Sequence, residues 1–251
     1  MSISQINEAE LVNAAQVAIN NTLSDSEILT LVSKRKYDQA RMNQGKQLLD
    51  AVVAKTAEVA EKEGEQKQLG EECQKAKGEA EEIFQDLAES ARTLFRAKGP
   101  ERTKLGLIGT MPTKTGAFLK AGRTLFENAQ TDAGMAEKLA DVGHDAASLA
   151  DGKAKIEAHD KAHQAHKKAT GATQQATQEK NQAVKALRQW LSRYLRIAKL
   201  ALKGKPQLRE KIGIVVRTGK TEAQAAAPKK AAATRAAKKK ANEEAKSGGQ
   251  G

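Results

Sequence analysis

The sequence predicts an all-α protein: an elongated antiparallel four-helix bundle, built by tandem duplication of a helical hairpin with one short helix added per copy, followed by a disordered basic C-terminal tail. Three observations predict it. Ala, Lys, Glu, Gln and Leu dominate a chain of 251 residues in which only seven are aromatic. Sheets favour aromatic and β-branched side chains, whereas this composition suits long helices. Apolar residues recur in steps of four and three across long stretches without proline, the spacing of a bundle or coiled-coil seam. The chain also resembles itself at an offset of 107 residues, the trace expected of repeated architecture.

The first copy is expected to span residues 1–110. Ala9 to Asn20 reads as a short helix. Ser24 or Asp25 then caps a new helix, because their side-chain oxygens can accept from the free amides of a first turn. No proline follows until Pro100. A bend is therefore expected near Gly64 to Gly70, folding the stretch into two legs. Leu49, Val52 and Val59 mark the first leg. Leu69, Cys73, Ala76, Ala80, Ile83 and Leu87 mark the second, with Cys73 read as a small core residue. Gly99-Pro100 ends it.

The second copy, residues 111–216, follows the same order. Asn21 to Asp25 recurs as Asn128 to Asp132, Gly45-Lys46 as Gly152-Lys153, and Leu105-Gly106-Leu107 as Ile212-Gly213-Ile214. Val184, Leu187, Leu191, Leu195 and Ala198 form its seam, stopped by Gly204 and Pro206. The apolar-Gly-apolar triplets are expected to be short extended arms on the bundle. Both copies are expected to pack as one domain, since neither hairpin can bury its apolar stripe alone. Residues 217–251 lack large apolar side chains and carry nine Lys or Arg against three Glu, too polar to offset the entropy of ordering.

Charge is the main pointer to a partner. The chain carries +12 overall, which favours an anionic partner. Glu58 to Glu89 holds eleven acids and four lysines. The ends of both second legs are basic, and Lys34, Arg35 and Lys36 join them, so one basic pole is expected where the tail leaves. The candidate anion-binding residues are Arg188, Arg193, Arg196, Lys199, Lys203 and Lys205 on the bundle, and Lys229, Lys230, Arg235, Lys238, Lys239 and Lys240 in the tail. Trp190 and Tyr194, one turn apart, could stack on bases, but packing in the seam is the plainer reading.

The run Pro228 to Lys240 resembles the Lys-Ala-Pro tails of linker histones and of basic bacterial nucleoid proteins. That resemblance implies salt-sensitive, sequence-blind contact with phosphates. The stretch Trp190 to Leu202, with Lys205-Pro206-Gln207-Leu208 and Ile212-Gly213-Ile214, resembles the C-terminal segment of uncharacterised bacterial all-helical proteins. It implies a helical fold and bacterial origin, and brings no activity with it.

Enzymatic chemistry finds no foothold. His159, His163 and His166 share one helix face at i, i+4 and i+7, but ligands strung along a straight helix do not converge on one metal. An exposed polar face is expected instead. Gly213 to Thr221 has five residues between its glycines where a phosphate loop has four. No catalytic group, cofactor or metal is therefore expected. One cysteine excludes an internal disulfide. Met1 to Leu11 has no Lys or Arg and no apolar run, so no secretory signal is expected, and no segment is long and apolar enough to span a bilayer. The expectation is a cytoplasmic, non-enzymatic helical scaffold that contacts nucleic acid or another polyanion through its tail and basic pole. The alternative is a protein–protein assembly module working through the bundle surface, with the tail accessory. A membrane-active protein and a histidine-metal enzyme rank below both.

Overall fold

A computed structural model describes residues 6–215. Among the described residues the chain is all helix and turn, without a strand. Helix α1 is Glu8–Ser24, α2 Ser26–Ser33, α3 Gln39–Leu94, α4 Pro100–Lys104, α5 Thr115–Thr131, α6 Ala133–Ala140, α7 Ala146–Ala201 and α8 Pro206–Lys211. The all-α reading holds. The helices α1, α2 and α3 reappear 107 residues later as α5, α6 and α7, with identical lengths of 17, 8 and 56 residues.

Asp25 and Asp132 do begin equivalent helices, but short ones. Asp25 accepts from the amides of Glu27 and Ile28 at 3.0 and 3.2 Å, and Asp132 from Met135 at 3.2 Å. Each stands at an extended kink that ends one helix and starts the next. The short helices then stop at left-handed residues, Lys36 (φ 68°) and its offset counterpart Gly143 (φ 96°). Asp38 and Asp145 restart the chain, accepting from the amides of Arg41 and Ser148.

The bend expected at Gly64 to Gly70 does not occur. Helix α3 runs unbroken through both glycines, and α7 is equally continuous, so each is one long helix where a two-legged hairpin was expected. An interior glycine costs about 1 kcal/mol relative to alanine, which weakens a helix without stopping it. The four-three seam continues across the glycines, and burial along it outweighs that cost. Cys73 and Ala80 are buried beyond Gly70 as Leu49, Val52 and Val59 are before Gly64.

The described residues form two compact units, each drawn from both of the segments related by the 107-residue offset. Among the described residues, unit 1 takes 6–49 and 188–215, and unit 2 takes 50–187. In unit 1, Leu11, Ile19, Ile28 and Met42 are buried together with Leu191, Tyr194 and Leu202. In unit 2, Phe118, Phe126, Met135 and Leu149 pack with Phe84, Leu87 and Phe95. Within unit 2 the long helices run antiparallel: Lys55 meets Glu179 at 2.5 Å, and Thr173 donates to the Lys62 carbonyl at 3.1 Å.

Two further short helices, α4 and α8, follow the long ones. Each starts with proline at its first position, where the missing amide costs nothing. The triplets after them are turns rather than extended arms, with Leu105, Leu107 and Ile212 buried and Gly106 and Gly213 at positive φ.

These short helices close each unit by the same device. In unit 1, Asn21 donates to the Lys211 carbonyl at 2.5 Å, and the Lys211 ammonium meets Asp25 at 3.0 Å. In unit 2, Asn128 donates to the Lys104 carbonyl at 2.5 Å, and Lys104 meets Asp132 at 2.9 Å. The lysine contacts, then the helix amides, hold both aspartates below their ordinary value of 3.8. A carboxylate with a depressed folded-state value stabilises above its unfolded pKa and loses that contribution as pH falls through the folded one. Asp25→Ala and Asp132→Ala are expected to lower Tm similarly at neutral pH. Thermal melts should show both deficits shrinking below about pH 4.

Candidate anion-binding face

The residues expected to form one basic pole separate. Arg92, Arg96, Lys98, Arg102 and Lys104 fall in unit 2, whereas Arg188 to Lys211 fall in unit 1 with Lys34, Arg35 and Lys36. The expectation rested on a bend at Gly64 to Gly70, which α3 does not make. In unit 2 the cations also serve the fold. Arg102 donates to the carbonyls of Phe95 (2.9 Å) and Arg92, closing the end of α3.

Unit 1 is strongly basic. Its described residues hold thirteen Lys or Arg and six Asp or Glu, a net of +7, against −1 for unit 2. From Lys180 to Arg209 there are nine cations and no acid. That acid-free window was legible in the sequence and is a sharper signal than net charge.

The six candidates on the helical part divide. Arg188 is half-buried and donates to the Ile6 carbonyl at 3.0 Å, fastening the entry to α1. Lys205 pairs with Glu27. Arg193, Arg196, Lys199 and Lys203 are exposed, and no carboxylate among the described residues pairs with them. They stand opposite the seam of Leu187, Leu191, Tyr194, Ala198 and Leu202, every one of which is buried. Their spacing places Arg193, Arg196 and Lys199 along one side of α7 over about 9 Å, with Lys203 in the turn that follows the helix. Acids in unit 1 are mostly engaged elsewhere. Glu10 and Asp38 cap helices, while Asp25 and Glu27 are held by Lys211 and Lys205. The six tail candidates, Lys229 to Lys240, lie outside the described residues, as does the expected disorder of the tail.

Trp190 and Tyr194 are packing residues. The indole stacks on the Tyr194 ring (5.4 Å, 20°) and meets Tyr37 edge-on at 6.2 Å. Gly45 leaves room beneath the indole, since a Cβ there would overlap its ring. Tyr194 is fully buried; its hydroxyl donates to Thr22, which itself donates to the Ala18 carbonyl at 2.7 Å. Burial pushes the phenol up to about 12. Its ring faces are committed to neighbours and offer no platform to a base.

The three histidines do not converge, and the expected exposed face is wrong for one of them. His159 is 1% exposed, with its ring 6.0 Å from Phe118 and 6.3 Å from His163. Neither of its ring nitrogens has a hydrogen-bond partner. Desolvation first, then His163 and Lys77, hold its pKa below the ordinary imidazole value. His163 and His166 are half-buried. Asp160 serves Arg123 at 2.6 Å, which also grips Glu157 at 2.8 Å. Among the described residues no three His, Cys, Asp or Glu side chains gather as a metal site would need. No helix among them is long and apolar enough to cross a membrane. Comparison with protein-family models, curated proteins and solved structures returned no match.

Proposed function

We propose that the chain is a non-enzymatic helical scaffold that holds nucleic acid electrostatically, through the exposed cations of α7 and the basic run after Val215. The observation that carries this reading is the acid-free window from Lys180 to Arg209, within which four exposed cations have no carboxylate partner among the described residues. Burying an aliphatic seam does not require this. Cations near a helix C-terminus complement its dipole only over the last turn, whereas Arg193 and Arg196 lie further back in α7. A row of unpaired cations releases condensed counterions from a polyphosphate without reading bases.

Binding of a labelled DNA duplex and of an RNA of unrelated sequence, measured by anisotropy across a salt series, tests the proposal. Both are expected to bind at about 50 mM salt, with log K for the DNA duplex falling by about 0.9 per phosphate contact for each decade of salt. A chain ending at Val215 should bind more weakly and with a shallower slope, yet still bind. Failure of the full-length chain to bind either nucleic acid at low salt would sink the reading.

A further inference from the structure

The 107-residue offset gives the α7 face a counterpart on α3. Arg193, Arg196, Lys199 and Lys203 correspond to Asp86, Glu89, Arg92 and Arg96. The frame is shared: α3 and α7 have the same length, and the buried positions Phe84, Leu87, Ala91 and Phe95 correspond to the buried Leu191, Tyr194, Ala198 and Leu202. The charge is not shared. The two arginines of α7 replace two acids of α3, while the next two positions are cationic in both. Asp86 and Glu89 are exposed and have no cation partner among the described residues. They border a shallow groove with Glu79, Glu81, Glu82 and Lys155 as further walls, the lysine being paired with Asp151 at 3.3 Å.

Resting on the nucleic-acid reading, we infer that the α7 face is the chain's single helical phosphate-binding site, and that Asp86 and Glu89 keep the equivalent α3 face from becoming a second one. A chain made of two like units would otherwise present two like faces and link two nucleic acid molecules. Repulsion between these carboxylates and phosphate oxygens removes one face from use, because opposing a wrong partner with like charge is as effective as improving contacts to the right one. The result is one duplex per chain.

Exchanging the residues between the two faces of the full-length chain tests this. Arg193→Asp with Arg196→Glu installs the α3 charges on α7. Duplex affinity at about 50 mM salt is expected to fall at least about tenfold, and the salt slope to flatten by about 1.8 for two lost contacts. Arg193→Gln with Arg196→Gln, which adds no acid, should flatten the slope equally. Asp86→Arg with Glu89→Arg makes the reciprocal change. Energy transfer between separately labelled donor and acceptor duplexes should then appear, absent in the unaltered chain, and stoichiometry by sedimentation should rise from one duplex to two. All of these positions are exposed, so unchanged helical circular dichroism melts identify a binding effect. Three results overturn the inference: an unaltered chain that already links two duplexes, an unchanged slope after neutralising Arg193 and Arg196, or a single bound duplex after Asp86 and Glu89 become arginine. An unaltered chain that binds no duplex at all instead defeats the nucleic-acid reading itself.

Discussion

Replacing His159 with leucine is expected to stabilise unit 2, more so as the solution is acidified. The imidazole is almost fully buried, and both ring nitrogens lack partners. A buried polar group left unsatisfied costs about 1–3 kcal/mol, and leucine has a similar volume without that cost. The offset counterpart of His159 is Val52, itself fully buried, so the frame accepts an aliphatic side chain there. At neutral pH the gain should be about 1–3 kcal/mol. The acid-side behaviour follows from linkage. The folded-state pKa of His159 is lowered, by desolvation and then by His163 and Lys77, against smaller opposing effects of Glu81 and Asp160. Below the ordinary value of 6.5 the unfolded chain takes up a proton that the folded chain does not. Stability is therefore intact above 6.5 and is lost as pH falls towards the folded value, by about 1.4 kcal/mol per pH unit. Urea titrations of His159→Leu and the unaltered chain at several pH values should give curves that diverge below 6.5. Parallel curves would mean that the ring finds a partner or meets solvent.

The histidine shows which parts of the fold are legible in the sequence. Leu149, Ile156, His159 and His163 continue one four-three seam, so the spacing itself places His159 inward; its polarity suggested an exposed face. Local signals with a single physical cause read well. Asp25 and Asp132 cap helices because an aspartate there has amides to satisfy, and Pro100 and Pro206 mark breaks. The break after Ser33 carries neither Gly nor Pro, since Lys36 itself adopts the left-handed conformation, and it was missed. Contacts between distant segments were not legible at all. Asn21 and Lys211 lie 190 residues apart, and nothing local in either announces the hydrogen bond between them. The same holds for the site. The cations of α7 were evident, but separating the four free ones from Arg188 and Lys205 required knowing that the Ile6 carbonyl and Glu27 had come to meet them.

Alanine substitutions should have different effects at two α7 glycines that look alike in sequence. Gly152 and Gly171 both lie in the interior of the helix. A Cβ at Gly171 would meet nothing within 4 Å, and the residue is exposed. Gly171→Ala therefore changes little besides helix propensity, and is expected to stabilise by about 0.8–1.0 kcal/mol. A Cβ at Gly152 would overlap the ring of Phe126, which is 1% exposed and enclosed by the core of unit 2. The ring has no solvent-facing route of retreat, so the clash is relieved only by moving helix α5 or forcing a strained rotamer, at about 1–3 kcal/mol. Subtracting the two variants cancels the propensity common to both and leaves that packing cost. Gly152→Ala should thus fall below Gly171→Ala by about 1–3 kcal/mol in chemical denaturation. Gly45, its counterpart at the 107-residue offset, seats the ring of Trp190 in the same way. The glycines of the Gly45-Lys46 and Gly152-Lys153 echo therefore have a physical cause: at each, a long helix must come close enough to an aromatic ring that no side chain fits between. Equal stability of the two alanine variants would show that Phe126 can yield, and that the echo has another origin.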